Sequence, residues 1–330
     1  MTKKDRISSV LNRTCTDYVP TGFWIHFTQD CFFGDSSVKA HLDFFDKTET
    51  DLCKVMTEST YPCDHSILTA SDWRKVPSYG KDALFIQKQA ELIARIADRC
   101  QDAPVVATIH GVVASASHTL LGIPRYDSVG RYAQLYHLRT DSEAVYDGYR
   151  NIADTLKEMV RAFVKAGANA IYYAALGGES DGFTDEEHAR YIAPLDREII
   201  KTAYDEGAEF VILHMCKPKV NLERFLSYEA DVVNWGVRES GISLKRGKEL
   251  FPDKIILGGL DHREGPLITG SMLGLEKDIA TIFSEVGTEG LILGSDCTLP
   301  TGIPYENIAS VAEISKKLSV PVFNRSIANA

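Results

Sequence analysis

Val211-Ile212-Leu213-His214-Met215-Cys216 is an unbroken apolar run that ends in two side chains able to bind a soft metal ion. A continuous run of this kind, with no polar alternation, is the signature of a strand buried on both faces of a parallel sheet. Successive side chains of a strand point to opposite faces, so His214 and Cys216 project to one side and Met215 to the other. The run therefore predicts both a strand and a pair of donors at its carboxyl end.

Outward from it, comparable runs recur at 20–27, 66–69, 104–110, 170–174, 231–235, 254–259 and 290–293, with 66–69 the least apolar of them. Between them lie stretches of helical periodicity at 36–59, 83–99, 221–229, 243–250, 275–286 and 305–318. Thr140-Asp141-Ser142-Glu143 reads as a capping box opening a helix that stops at Gly167, and Thr184-Asp185-Glu186-Glu187 as another whose helix closes near Gly207. An amphipathic helix at 3–12, with Ile7, Val10 and Leu11 on one face, precedes the first strand. Strands alternating with helices give an α/β protein. The expected architecture is a single (β/α)8 TIM barrel over residues 1–330 with an N-terminal helical extension. A doubly wound open sheet is the competing topology, but no GxGxxG follows the first strand.

The chain has 330 residues, 44% hydrophobic and 25% charged, which is the composition of a folded protein with a large core. A net charge of −10 argues against nucleic acid or an anionic membrane as partner, since both select a cationic face. The 7 cysteines are odd in number and scattered, and the polar start MTKKDRISSV is not a signal peptide. Free thiols and a cytoplasmic location are expected.

In a (β/α)8 barrel the chemistry gathers at the carboxyl ends of the strands. Those ends carry His26, His110, Glu179, His214 with Cys216, Trp235, Asp261, and Asp296 with Cys297. Each cysteine or histidine alone is more often a buried structural residue. His-x-Cys at one strand exit with Cys297 at another is instead a zinc-binding donor set, and three protein ligands leave a fourth tetrahedral position open for chemistry. No CxxC pair exists to build a closed structural site. Trp24, His26, His110, Trp235 and Asp261 are the expected substrate contacts, and Asp261 is a candidate to orient His214 or to cap the next helix.

The stretch from Gly294 through Ser295-Asp296-Cys297-Thr298-Leu299-Pro300 to Ile308, the Gly258-Gly259-Leu260-Asp261 strand exit, the opening helix and the aromatic first strand resemble the uroporphyrinogen decarboxylase superfamily over most of the chain. His-x-Cys followed much later by Cys resembles the zinc-dependent corrinoid methyltransferases within it, and also cobalamin-independent methionine synthase. The resemblance implies His214, Cys216 and Cys297 as ligands of Zn²⁺. It further implies a methyl group moved between a corrinoid (cobalamin) and a small molecule, either a thiol acceptor or a methoxy or methylated donor. No Asp-x-His-x-x-Gly motif is present, so the corrinoid is expected on a separate protein docking at the barrel mouth, where Phe23, Trp24, Phe27, Phe32 and Phe33 are available to line it. In the methionine-synthase pattern a glutamate from the end of strand six completes the metal; here Glu239 is the nearest equivalent, and Glu239, Glu179, Asp296, water or substrate are all open as the fourth ligand.

The sequence also departs from the decarboxylases. Their arginine-rich segment after the first strand is replaced by Phe27-Thr28-Gln29-Asp30-Cys31-Phe32-Phe33, and their motif after the third strand by His110-Gly111-Val112-Val113-Ala114-Ser115. A polycarboxylate substrate would meet little positive charge there. A decarboxylase-like carboxy-lyase and a non-catalytic tetrapyrrole- or corrinoid-binding barrel are the alternatives to the methyltransferase.

Overall fold

Branched apolar residues bury β3 (Val105–His110), β5 (Phe210–Met215), β6 (Val232–Trp235) and β8 (Leu291–Ser295) at every position. A strand covered on both faces has no solvent side, and helices supply the outer cover. The computed structural model describes residues 1–120 and 128–319. With β1 (Thr21–Gly22), β2 (Cys53–Val55), β4 (Ala170–Ala175) and β7 (Ile255–Leu260), these strands form one 8-stranded parallel sheet in the order β1-β8-β7-β6-β5-β4-β3-β2. The sheet curls into a TIM-barrel-like α/β fold. Between its outermost members the closure passes through Asp51: its backbone N–H donates to the Thr21 carbonyl at 2.8 Å, and its carboxylate accepts from the Thr21 N–H at 2.8 Å.

Parallel register fixes which side chains share the barrel interior. Tyr172 stands opposite Ile212, and His214 stands between Ala174 on one side and Asn234 on the other. Counting by twos, Tyr172, His214 and Asn234 all face the same side. At the seam with β1, Gly294 and Gly22 sit side by side, and a Cβ on Gly294 would lie 2.6 Å from the Gly22 carbonyl oxygen.

The helical extension is present as Lys3–Leu11, capped by a Thr2–Asp5 box. The expected helices at 83–99, 243–250, 275–286 and 305–318 are found as Leu84–Ala97, Leu244–Leu250, Met272–Val286 and Tyr305–Leu318. Two expectations fail at β2. The segment 66–69 is not a strand; Leu68 is 68% exposed there, and the chain runs into the 3-10 turn Ala70–Lys75. The helix expected over 36–59 is Gly34–Thr48, stopped by Glu49 in the left-handed region (φ 55°), and β2 follows at once. The expected helix at 221–229 is one 3-10 turn, Leu222–Phe225. At the helix Ser142–Lys165 the cap is Asp141, which accepts from the Ala144 N–H, rather than a box built on Thr140. The Thr184 box forms, and its helix continues through a π turn at His188–Ile192 into Ala193–Asp205. No described helix is long and apolar enough to cross a membrane.

Candidate metal centre

β5 ends at Met215, so His214 is held rigidly within the strand while Cys216 begins the exit loop. The turn after it is forced: Lys217 (φ 89°) and Lys219 (φ 60°) both take left-handed backbone conformations that non-glycine residues rarely adopt. The loop is tied to the β4 exit by a bridge pairing Glu179 with Val220. Cys297 comes from the loop after β8, where the Ser295 hydroxyl donates to the Cys297 carbonyl at 2.6 Å.

The ligand atoms of His214, Cys216 and Cys297 all lie within 4.8 Å of one another, and among the described residues they form the one such cluster. Cys297 Sγ is 3.4 Å from His214 Nε2 and 3.9 Å from Cys216 Sγ. Tetrahedral zinc with bonds of about 2.3 Å to sulfur and about 2.0 Å to nitrogen sets its ligands about 3.8 Å apart for S···S and about 3.5 Å for S···N. The two separations made by Cys297 thus match the edges of such a tetrahedron. The thiols are electrostatically prepared as well: the hydrogen bond from Cys216 pulls the Cys297 thiol down to about 7, against the opposing effect of burial. The same contact pushes Cys216 up, so the first thiolate is available near neutrality and the second needs a cation beside it.

The residue that orients the imidazole is Asn234, not Asp261. Asn234 Oδ1 accepts from His214 Nδ1, while its amide donates to the Leu257 carbonyl at 2.8 Å and the Ser295 carbonyl at 3.2 Å. With Nδ1 as donor, Nε2 keeps its lone pair directed toward the cysteines. Asp261 is occupied elsewhere: it accepts from the Arg263 N–H at 2.8 Å and pairs with Arg238 at 3.1 Å.

The other carboxylates are engaged in their own contacts. Glu179 accepts from the Gly177 N–H at 2.9 Å and pairs with Arg131 at 2.7 Å. Glu239 pairs with Arg263 and lies 3.8 Å from His262 Nε2. Asp296 accepts from the Arg238 and Gly259 N–H groups, each at 3.4 Å, and burial pushes its carboxyl up to about 7. His26 meets Glu58 at 3.0 Å with its side chain 37% exposed, and His110 lines a cleft with Thr57, Tyr61, Ser115 and His118. Trp235 pairs in register with Met215 and so occupies the face opposite His214; its indole N–H donates to the Ile242 carbonyl at 3.0 Å, and its ring fills the space over Gly247.

Trp24 does reach the interior. Its ring meets Tyr172 edge-on at 5.0 Å, and Tyr172 stacks on His214 with ring centroids 5.4 Å apart. Beside them lies Lys54 of β2, only 9% exposed. Sequence reasoning passed over Asn234, Tyr172 and Lys54. The available signal was a lone charge within the apolar Leu52-Cys53-Lys54-Val55-Met56.

Fold and cluster together define a parallel α/β barrel with a cluster of soft donors that could hold a metal ion at its carboxyl mouth. The uroporphyrinogen decarboxylase (URO-D) family model matches residues 55–318, and the chain belongs to that family. Among solved structures, a methyltransferase from Methanosarcina mazei superposes with a TM-score of 0.72 at 15% identity, covering 96% of this chain and 99% of that one. A B12-independent methionine synthase from Shewanella sp., in complex with selenomethionine, superposes with a TM-score of 0.60 at 10% identity, covering 94% and 99%. No curated protein matches the chain.

Proposed function

We propose that this protein is a zinc-dependent methyltransferase that moves a methyl group between a corrinoid protein and a small substrate, the substrate being a thiol acceptor or a methoxy or methylated donor. The observation that carries the reading is the grouping of the His214, Cys216 and Cys297 donor atoms within 4.8 Å of one another at the carboxyl mouth. The methyltransferase and methionine synthase that share the fold add support.

Zinc at this site would lower the pKa of a bound thiol, or polarise a methoxy oxygen, at neutral pH. The chain's own residues do the rest. Cys216 and Cys297 would contribute two negative charges to match a divalent ion. Asn234 keeps the His214 tautomer that coordinates through Nε2. Trp24 and Tyr172, both nearly inaccessible, exclude water from the inner side of the imidazole and so strengthen every electrostatic contact there.

Protein purified without added metal is expected to carry about one zinc per chain, lost in Cys216→Ser/Cys297→Ser. It is also expected to transfer methyl from methylcobalamin to a small thiol, or to pass methyl from a methoxy compound to cob(I)alamin. Full zinc retention in the double variant overturns the metal site. A zinc-loaded protein inactive in both directions overturns methyl transfer.

A further inference from the structure

The exits of β1 and β2 bring a histidine and a glutamate together at the barrel mouth. Ile25 bridges to Leu299, the Leu299 N–H donates to the Trp24 carbonyl at 3.0 Å, and the Thr301 hydroxyl donates to the His26 carbonyl at 2.7 Å. The loop that carries Cys297 thus runs on alongside the residues leading to His26. Trp24 reaches the interior, and His26, two residues further along an extended chain, turns the same way. On β2 the Lys54 ammonium sits 4.0 Å from the Tyr172 ring centre and bonds the Met56 sulfur at 3.0 Å, and Glu58 follows two residues later. The fields of Glu58 and Cys297 both reach that ammonium, so the carboxylate and the donor cluster border the same part of the interior.

The two partners differ in exposure. The Glu58 side chain is 2% exposed, that of His26 37%. His26 Nδ1 lies 3.0 and 3.1 Å from the two Glu58 oxygens, and the Phe27 N–H donates to the same carboxylate at 3.4 Å. A buried carboxylate against Nδ1 keeps the hydrogen on that nitrogen and leaves the lone pair on Nε2. Among the described residues Nε2 has no hydrogen-bond partner. Holding two strand exits together requires only the Nδ1 contact. An open Nε2 on a carboxylate-backed imidazole is in addition a base, and the charge behind it stabilises the imidazolium once a proton arrives. Two further titratable groups face the carboxylate, Lys54 and His41 of the helix Gly34–Thr48. Burial lowers His41 to about 4, so it stays neutral.

We propose that His26, backed by Glu58, is the proton carrier of the reaction: its Nε2 takes the proton of a thiol acceptor, or gives one to the oxygen of a donor losing its methyl group. The proposal rests on the methyl-transfer reading. In the first direction the S–H bond breaks, its electron pair stays on sulfur, and an N–H bond forms on Nε2; the S–CH3 bond then forms as the Co–CH3 bond breaks with its pair left on cobalt. In the other, the O–CH3 bond breaks with its pair on oxygen, which takes the Nε2 proton while the methyl passes to cobalt(I).

The tautomer is read first, by nitrogen NMR of wild-type protein labelled at histidine. Hydrogen on Nδ1 is expected; hydrogen on Nε2 overturns the proposal, because that nitrogen could then accept no proton. Turnover follows, with methylcobalamin and 2-mercaptoethanol in one direction and guaiacol with cob(I)alamin in the other. In the direction that the wild type runs, His26→Ala is expected to lower kcat by about 100-fold or more with KM and zinc content little changed, and added imidazole to restore part of the rate. Glu58→Gln, which keeps the shape and removes the charge behind the ring, is expected to lose about tenfold in kcat, an independent reading where His26→Ala does not fold. Wild-type kcat in either variant, or a loss in His26→Ala that imidazole does not relieve, overturns the proton carrier and leaves methyl transfer standing. A zinc-loaded wild type inactive in both directions overturns methyl transfer, and the carrier falls with it.

Discussion

At the scale of single residues, the candidate centre is organised by a side chain outside the donor set. Asn234 accepts from His214 Nδ1 and anchors itself on two carbonyls of neighbouring strands. Asn234→Ala is therefore expected to weaken zinc binding by about 10–100-fold, measured by competition with a chromophoric chelator. Asn234→Asp, which keeps the acceptor, should retain more of the affinity than Ala; equal loss in both would show that the two donated hydrogen bonds, not imidazole orientation, set the metal affinity. The clustering of the three donors was legible in the sequence because their residue types are conspicuous at strand exits. Asn234 was not, because its role depends on cross-strand register, which places it beside His214 although 20 residues separate them. Asp261, an acid at the next strand exit, was the more conspicuous guess, and local turn contacts claim it instead. Lys54 stayed hidden for a related reason: a lysine near a helix end reads as solvated unless the strand carrying it has been found.

At the scale of elements, strands from β3 onward were legible because each is an apolar run long enough to stand out between amphipathic helices. β2 was not: it has 3 residues, one of them lysine, and directly follows a helix whose periodicity seemed to continue through it. β1 has only 2 paired residues, and further contact with the β8 exit comes from the bridge between Ile25 and Leu299. Short strands at this seam need close backbone approach, which glycine supplies. Gly294 is the most constrained of these positions, since an added Cβ would meet the Gly22 carbonyl at 2.6 Å and Leu257 Cδ2 at 2.8 Å. One contact is backbone, so β1 or β8 must move to accommodate it. Gly294→Ala is expected to cost about 1–3 kcal/mol in a denaturant titration. Because β8 delivers Cys297, the substitution should also weaken zinc binding. A variant with wild-type stability and wild-type zinc affinity would mean that the seam is plastic.

At the scale of the whole molecule, the sheet's ends are joined at the face opposite the candidate metal centre by a buried ion pair. Asp51, fully buried, bridges to Thr21 and receives Arg6 from the N-terminal helix at 2.6 Å; Arg6 also pairs with the more exposed Asp17 at 2.7 Å and stacks on Tyr18 at 3.8 Å. The N-terminal extension is in this way part of the barrel's closure. Burial pushes the Asp51 carboxyl up, and Arg6 with the Thr21 N–H opposes the shift. Removing Arg6 leaves the carboxylate buried with one cationic partner fewer, which for a desolvated pair costs about 3–5 kcal/mol, whereas Asp17→Ala touches a solvent-screened contact worth about 0–1 kcal/mol. Arg6→Met is therefore expected to lower the urea midpoint strongly and Asp17→Ala hardly at all. The double variant Arg6→Met/Asp51→Asn, with no charge left uncompensated in the interior, should recover part of the loss. If instead the double variant is less stable than Arg6→Met alone, the Asp51 carboxylate acts through Thr21 and not through the pair. Zinc content should stay at wild-type level in every folded variant of this set, because stability is built at the amino-terminal end of the strands and the proposed metal donors lie at the other.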